Sequence, residues 1–371
     1  MDFNFSDDQE QLRDAVAKWV AKGYDFERRK KIVEAGGFDR AAYNELAELG
    51  LAGLFISEDH GGMGMGPVEA MVVMEELGRG IVLEPIAQAF VAGATLEAFG
   101  AAEAKAEWLP RIAGGEALVV LAQQERKARY RLDVCEAQAA KAGAGYTVTG
   151  LKNIVPAGDQ ADAFLVPAQL DGKLALFLVE RSAQGVATRG YLTQDEGRAA
   201  DVELTNAPAA LVSTDGLAAL THAVDVGIAC ACAEGVGAMD RFLAMTVEYM
   251  NQRKQFGVTI ASFQALRHRV ADMKMQLELA RSMSYYATLK LRAPEAERRQ
   301  ALSRAKVQLG QSMRFVGQQG VQLHGGIGVT DEYAGSHYFK KLTALEMTYG
   351  DTLHHLGEVS ARMTDSAGVF A

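Results

Sequence analysis

The chain has 371 residues, a formal net charge of −9 and 49% apolar residues. That length exceeds one ordinary hydrophobic core, so two or three domains are expected, with the composition of a soluble globular enzyme. The acidic balance excludes general nucleic-acid binding but leaves room for an anionic ligand in a locally basic groove.

The chain opens on "MDFNFSDDQEQLRDAV", which lacks the charged-then-apolar order of a secretion signal. Residues 1–118 read as a helical domain. Ser6 has the chemistry of an N-cap, with acids in the turn that follows it, and Leu12, Val16, Trp19 and Val20 recur at helical spacing. "AAYNELAELGLAGL" and "GPVEAMVVMEELGRG" repeat that pattern, each ending near glycine, with the glycine-rich turn "SEDHGGMGMG" between them.

Residues 119–212 change period. "GYTVTG", "ADAFLVPA", "LALFLVE" and "AADVELTN" are short β-prone runs separated by "DGK", "SAQG" and "DEG", which predicts a small antiparallel barrel.

Residues 213–371 read as long helices. Gly216–Ala233 is the most apolar window, and His222 and Asp225 interrupt it, so no membrane span is expected. Phe263, Leu266, Val270, Met273, Leu277 and Ala280 form the seam of a four-helix bundle, and Pro294 in "APEAERRQ" stops a helix. The fold expected is mostly α with a central β domain. The three cysteines, Cys135, Cys230 and Cys232, have no disulfide framework and suit a reducing cytoplasm. Cys230 and Cys232 lack a second ligand cluster, so no metal site is expected.

Two stretches carry chemistry. In "YMNQRKQFGVTIASFQALRHR" a helix is expected to end with Gly257 at C′, and the next to start after Ser262 as N-cap. Arg253 and Phe256 then flank an exposed corner. They read either as a phosphate clamp and a cover for a flat ring or as a solvated arginine and a buried corner aromatic. In "VQLHGGIGVTDEY", Gly325 and Gly326 allow close backbone approach, or simply stop a helix.

Together these stretches resemble the acyl-CoA dehydrogenases, over essentially the whole chain. "RKQFGVTIASFQ" and "QLHGGIG" match that family's two most specific C-terminal motifs in order and separation, and "ELGLAGLFISEDHGGMGMG" resembles its glycine-rich active-site turn. "RGYLTQDEGRAADVELTNAPA" and "DMKMQLELARSMSYYA" are similar to the small-subunit branch. That branch includes pimeloyl-CoA dehydrogenase and two-subunit enzymes acting on steroid side-chain CoA esters.

The resemblance implies FAD, an acyl-CoA substrate from fatty acid or steroid catabolism, and an electron-transfer flavoprotein or similar acceptor. It also implies a homo- or heterotetramer with another acyl-CoA dehydrogenase subunit. By that resemblance Arg253, Phe256 and Gln264 would contact FAD across a subunit boundary. Gln322, Gly325 and Gly326 would reach a neighbour's FAD, and Thr352 would touch flavin. A carboxylate would take the α-proton while flavin takes the hydride.

The sequence departs from the family in three places. Gln124 and Arg126 replace a threonine and a proline, and Ile154 and Pro156 replace a tryptophan and a threonine at a flavin-contacting stretch. Arg126, Lys127, Arg129 and Arg131 form a basic cluster. Arg126 and Arg129 are candidates for CoA phosphates or a distal carboxylate, against a plain solvated loop.

The third departure is the base. Alignment from Gly325 puts Tyr349 at the family's catalytic glutamate, and alignment on the tyrosines puts Gly350 there. The alternative position on the earlier helix is Gly227, and Asp225 and Glu234 are poorly placed to substitute. Asp351 remains, either as base or as N-cap of "TLHHLGEVSARM". Three functions follow: a subunit that depends on another chain for the base, a self-sufficient homotetramer using Asp351, or a non-catalytic scaffold.

Overall fold

The computed structural model describes residues 5–143 and 145–366, so the first four residues of the opening motif lie outside the described residues. Six helices come first: α1 Asp7–Gly23, α2 Phe26–Glu34, α3 Arg40–Glu48, α4 Pro67–Arg79, α5 Ile86–Phe99 and α6 Ala102–Ala113. Ser6 caps α1 in a full capping box, its hydroxyl accepting from Gln9 N while the Gln9 side chain accepts from Ser6 N.

Seven strands follow: β1 Val119–Leu121, β2 Gln138–Ala142, β3 Gly145–Pro156, β4 Ala163–Leu170, β5 Lys173–Glu180, β6 Val186–Leu192 and β7 Arg198–Ser213. The rest is α7 Gly216–Gln252, the two-residue strands β8 Lys254–Gln255 and β9 Val258–Thr259, then α8 Gln264–Lys290, α9 Glu295–His324, α10 Ala334–Met347 and α11 Thr352–Ser366. The result is a helical N-terminal part, a small central β-barrel-like sheet and a C-terminal helical part.

The chain gathers into two compact units. One holds Arg29–Ala70 and Leu83–Gly227; the other holds the residues up to Arg28, Met71–Val82 and everything from Ile228 on. In the first, the sheet runs β1-β4-β2-β3-β7-β5 and a β4–β5 pairing closes the ring, with β6 added on β7. Antiparallel pairs dominate, but β1 pairs β4 in parallel, and β2 meets β4 in parallel at Gln138 and Gln169. Residues Ala163–Ala168 of β4 are buried on both faces, which is why that run is continuously apolar instead of alternating. The β4–β5 hairpin turns on Asp171 and Gly172, both at positive φ, the signature of a type I′ turn.

The second unit is the helical bundle, with α1 and α4 beside the C-terminal helices. Met273, Leu277 and Ala280 of the expected seam are buried, whereas Phe263 is exposed and Leu266 and Val270 are half-buried. The start of α8 therefore leaves part of its apolar face uncovered within the chain. Helix α7 is long and apolar enough to cross a membrane by composition alone, and 83% of its most apolar window is buried in the fold. Cys230 and Cys232 are buried on it.

Candidate functional site

The first motif forms a hairpin. Helix α7 stops at Gln252 and β8 pairs with β9. Phe256 and Gly257, at φ 54° and 83°, make the tight turn. Gly257 is thus a turn residue and not a helix C′, because the Arg253 carbonyl is taken by Ile260 N at 2.9 Å and the chain doubles back. Ser262 does not cap α8: its hydroxyl donates to the Thr259 carbonyl, and Phe263 occupies the cap position without a side-chain bond. Phe256 is 91% exposed, so the buried-corner alternative is excluded. Arg253 and Gln264 are exposed as well. Held at positive φ on an open hairpin, Phe256 meets the Phe263 ring edge-on, with centroids 6.2 Å apart, and is otherwise left to solvent.

One turn before Arg253, the Tyr249 ring packs on His324 with centroids 4.7 Å apart. The two motifs are therefore neighbours. His324 is buried. Its Nδ1–H donates to the Gly320 carbonyl, and its Nε2 accepts from the Tyr333 hydroxyl, so the ring is a fixed neutral brace; burial lowers its pKa. Gln322, Gly325 and Gly326 are exposed beyond it. Gly325 has φ 64° and ψ −139°, a region closed to side chains. A Cβ on Gly326 would meet nothing within 4 Å.

The segment between α10 and α11 is clamped from three sides. The buried Lys306 Nζ donates to the carbonyls of Leu345 (2.7 Å) and Glu346 (3.0 Å), placing a cation on the C-terminus of α10. Burial pulls its pKa down to about 8. Glu346 Oε1 accepts from Thr352 N, from the Thr352 hydroxyl at 2.6 Å and from Arg314 at 3.2 Å. The Thr352 hydroxyl is thus committed to a carboxylate of its own chain. Asp351 Oδ1 accepts the His354 N–H at 2.8 Å and caps α11. His355 is buried and donates from Nε2 to the Tyr349 carbonyl at 3.1 Å, while Nδ1 accepts from Ser303. Burial, with Lys306 nearby, pushes its pKa to about 3.

Tyr349 and Gly350 lie at φ 57° and 114°. A Cβ at Gly350 would come within 2.6 Å of His355 Nε2 and 2.7 Å of His354 Cδ2. Of the two positions that match the family's glutamate, Gly350 thus has its side-chain space taken by the two histidine rings, and Tyr349 carries a phenol in place of a carboxylate. Gly350 is buried, and its N–H makes no hydrogen bond among the described residues. Glu234 is paired with Lys341 at 2.6 Å, and Asp225 is fully buried. Sequence reading missed Lys306, although its place on the buried face of α9 between Leu302 and Leu309 marks it.

In the sheet unit, Glu125 and Lys152 form a buried ion pair at 2.6 Å. Lys152 also donates to the Pro167 carbonyl, and Glu125 accepts from the N–H groups of Glu136 and Ala137. Burial raises the Glu125 carboxyl's pKa, but Lys152 and these donors outweigh it and hold the group below the usual range. The basic loop between them is therefore anchored at both ends. Within it Lys127 pairs with Glu136 and Arg131 with Asp133, while Arg126 and Arg129 are exposed. In the glycine-rich turn, Ser57 and His60 both bond Glu97 Oε1, which ties that turn to α5.

The flavin fit divides. The open hairpin and the bare Gly325–Gly326 corner are exposed, and no described residue blocks a cofactor from reaching them. The chain's own sheet face does not match: Pro156 has no N–H, Asn153 N is spent on the Gln124 carbonyl, and Ala157 N on the Arg198 carbonyl.

The fold and these motifs define a dehydrogenase of the flavoprotein type, three-part in its α/β/α order. The chain belongs to the acyl-CoA dehydrogenase family. Residues 6–116 match the family model "Acyl-CoA dehydrogenase, N-terminal domain", and residues 214–364 match "Acyl-CoA dehydrogenase, C-terminal domain". Acyl-CoA dehydrogenase IpdE2 of Mycobacterium tuberculosis is 31% identical, over 90% of this chain and 91% of its own. Acyl-CoA dehydrogenase FadE27 of the same organism is 27% identical, over 89% of each chain.

Among solved structures, the ChsE4-ChsE5 complex from Mycobacterium tuberculosis superposes with a TM-score of 0.90 at 27% identity, covering 99% of this chain and 100% of that one. A variant of the Tcur3481-Tcur3483 steroid ACAD gives 0.90 at 26%, covering 97% and 99%. FAD is the cofactor of this family.

Proposed function

We propose that this chain is one subunit of a heteromeric, FAD-dependent acyl-CoA dehydrogenase, and that another acyl-CoA dehydrogenase chain supplies the catalytic carboxylate. One observation carries the reading: neither position matched to the family's base offers a carboxylate, Tyr349 being a phenol and Gly350 having its side-chain space filled by His354 and His355. The Asp351 carboxylate next to it caps α11. Two of the similar solved structures are, by their names, two-chain assemblies, which supports a two-chain arrangement.

In this reading Arg253, Phe256 and Gln264, with Gln322, Gly325 and Gly326, hold the FAD of a neighbouring subunit. Arg253 offers paired N–H donors to phosphate, and Phe256 covers a flat ring. FAD, when bound, supplies the hydride acceptor for α,β-dehydrogenation of an acyl-CoA thioester. Electrons then pass to an electron-transfer flavoprotein or a similar acceptor. The Gly350 N–H is a donor for a thioester carbonyl, where it would stabilise enolate-like charge. Arg126 and Arg129 meet CoA phosphates or a distal carboxylate. Thr352 touches flavin at the start of α11, with its hydroxyl proton held by Glu346. Three free cysteines and an acidic surface suit the cytoplasm.

The test is to purify the native complex, identify its chains, and measure flavin content and acyl-CoA-dependent dye reduction for the complex and for this chain alone. Flavin and turnover only in the complex are expected. Full turnover by the pure chain overturns the partner reading. If that turnover is then abolished by Asp351→Asn with FAD retained, the self-sufficient homotetramer stands instead. A complex that stays colourless with excess FAD leaves the scaffold.

A further inference from the structure

Helix α8 has two apolar faces. One is the core seam, where Met273, Leu277, Ala280 and Ala287 are buried. At about 100° per residue, Met275, Leu279, Ser282, Tyr286 and Leu289 lie on the opposite side, within about 80° of arc. Their steps alternate between four and three, the spacing of a coiled-coil seam, along about 21 Å of helix. Met275, Leu279 and Leu289 are 53%, 44% and 53% exposed, Ser282 is exposed and Tyr286 half-buried. Packing inside the chain therefore does not explain the stripe, and a face meant only for water would carry charged residues at these positions.

The two edges of the stripe decide what fits it. Glu278 and Tyr285 border it on one side, and Arg292, in the turn after α8, continues that edge. Gln276, Met283 and Lys290 border it on the other. Glu278 meets Lys274 and Arg281 through Oε1. Arg292 is exposed and makes no ion pair among the described residues. Laid antiparallel on a copy of itself, with the two-fold axis level with Ser284, α8 sets Leu279 against Leu289 of the other copy. Ser282 then meets Tyr286, hydroxyl against hydroxyl. The same register puts Glu278 beside Arg292 of the other copy, twice over by symmetry, and Gln276 beside Lys290, with no like charges brought together. A parallel pair would stack Ser282 on Ser282 and leave Glu278 facing Met283.

We infer that α8 pairs with α8 of a second copy of this chain, antiparallel about a two-fold axis. A single helix pair of this length buries less than the roughly 1,200 Å² of the smallest standard interfaces, so its effect is read in the assembled protein. The pairing does not rest on the proposed function. A homotetramer and a two-chain complex would both carry it, and neither flavin nor turnover is needed to observe it.

Sedimentation velocity of the assembled protein with Leu279→Lys tests it. The expected result is an assembly of half the mass, with the chain's far-ultraviolet circular dichroism unchanged. Arg292→Glu should weaken reassociation of the halves about tenfold, and adding Glu278→Arg should restore it, because the swapped charges pair again. On mild oxidation, the chain carrying both Ser282→Cys and Tyr286→Cys should form a covalent dimer of itself above the wild-type background, and Ser282→Cys alone should not. The inference is overturned if Leu279→Lys leaves the mass whole, or if the disulfide joins this chain to a different one. A charge swap that restores nothing, or a dimer formed as well by Ser282→Cys alone, overturns the antiparallel register.

Discussion

His355 Nε2 lies 2.6 Å from where a Cβ on Gly350 would stand, and the same nitrogen holds the Tyr349 carbonyl. The ring that fixes the turn is therefore the ring that forbids a side chain on it. Restoring the family's residue by Gly350→Glu should not create a base. It should destabilise the fold by roughly 2–4 kcal/mol, combining a strained positive φ with overpacking. Thermal unfolding and turnover of the complex check this. Adding His354→Ala should recover part of the stability, because one of the two colliding rings is then gone.

Lys306 should be worth more than its absence from the chemistry suggests. Lys306→Met leaves the Leu345 and Glu346 carbonyls without their donor and should cost about 2–4 kcal/mol in denaturant unfolding. The pH dependence has a definite sign. The folded pKa, about 8, lies below the unfolded value of 10.5, so the folded state binds fewer protons between them. Stability from this group therefore grows as pH rises from about 8 towards 10.5, and the gap between wild type and Lys306→Met should widen across that window.

Glu75 on α4 is the opposite case. It is buried, its Oε1 has no partner among the described residues, and burial raises its pKa to about 7 against the pull of Arg281, Arg79 and Arg13. The folded state then binds more protons than the unfolded one between about pH 4.5 and 7, so stability falls as pH rises through that range. Glu75→Gln should be near neutral at pH 5 and stabilising by about 1–3 kcal/mol at pH 8. Chemical denaturation at the two pH values reads the difference.

The buried pair behind the basic loop predicts a strongly non-additive cycle. Lys152→Met and Glu125→Gln should each cost about 3–5 kcal/mol, since each strands its partner, whereas the two together should cost much less than the sum. Simple additivity in a double-mutant cycle would show that the pair is not coupled.

Phe256→Ala and Arg253→Gln should leave the free chain's stability within about 0.5 kcal/mol, because both side chains stand in solvent. Under the proposed function the same changes should lower the flavin content of the assembled complex. Flavin absorbance per chain, measured beside melting temperature, separates the two effects.

Much of the fold was legible. The Ser6 cap, the Asp171–Gly172 turn and the switch from helical to strand period near residue 119 are local effects that a few residues determine. Strand β6 was not read, because "VATRGYL" alternates exposure without a β-prone run. Gly257 misled because glycine suits a helix end and a hairpin turn equally; what decides is whether the chain doubles back, and Ile260 N settles that. Ser262 failed as a cap for the same reason. The departure at Gly350 was visible in the sequence, but its cause was not: the histidines that fill the space lie four and five residues on and fold back only once α11 forms. Lys306 and Glu346 are forty residues apart, so their meeting is a product of packing alone.

Position 326 has a consequence of its own. Among the described residues nothing beyond its chain neighbours lies within 4 Å of a Cβ placed there, so the free protein should accept alanine at that corner without registering it. Any intolerance of that substitution in the living cell would have to be imposed by a neighbouring molecule. Two mutational scans of this chain, one scored on the fold of the isolated protein and one on the working assembly, should therefore disagree at 326 and agree at 350. Where the scans part company, they trace on one subunit the outline of another.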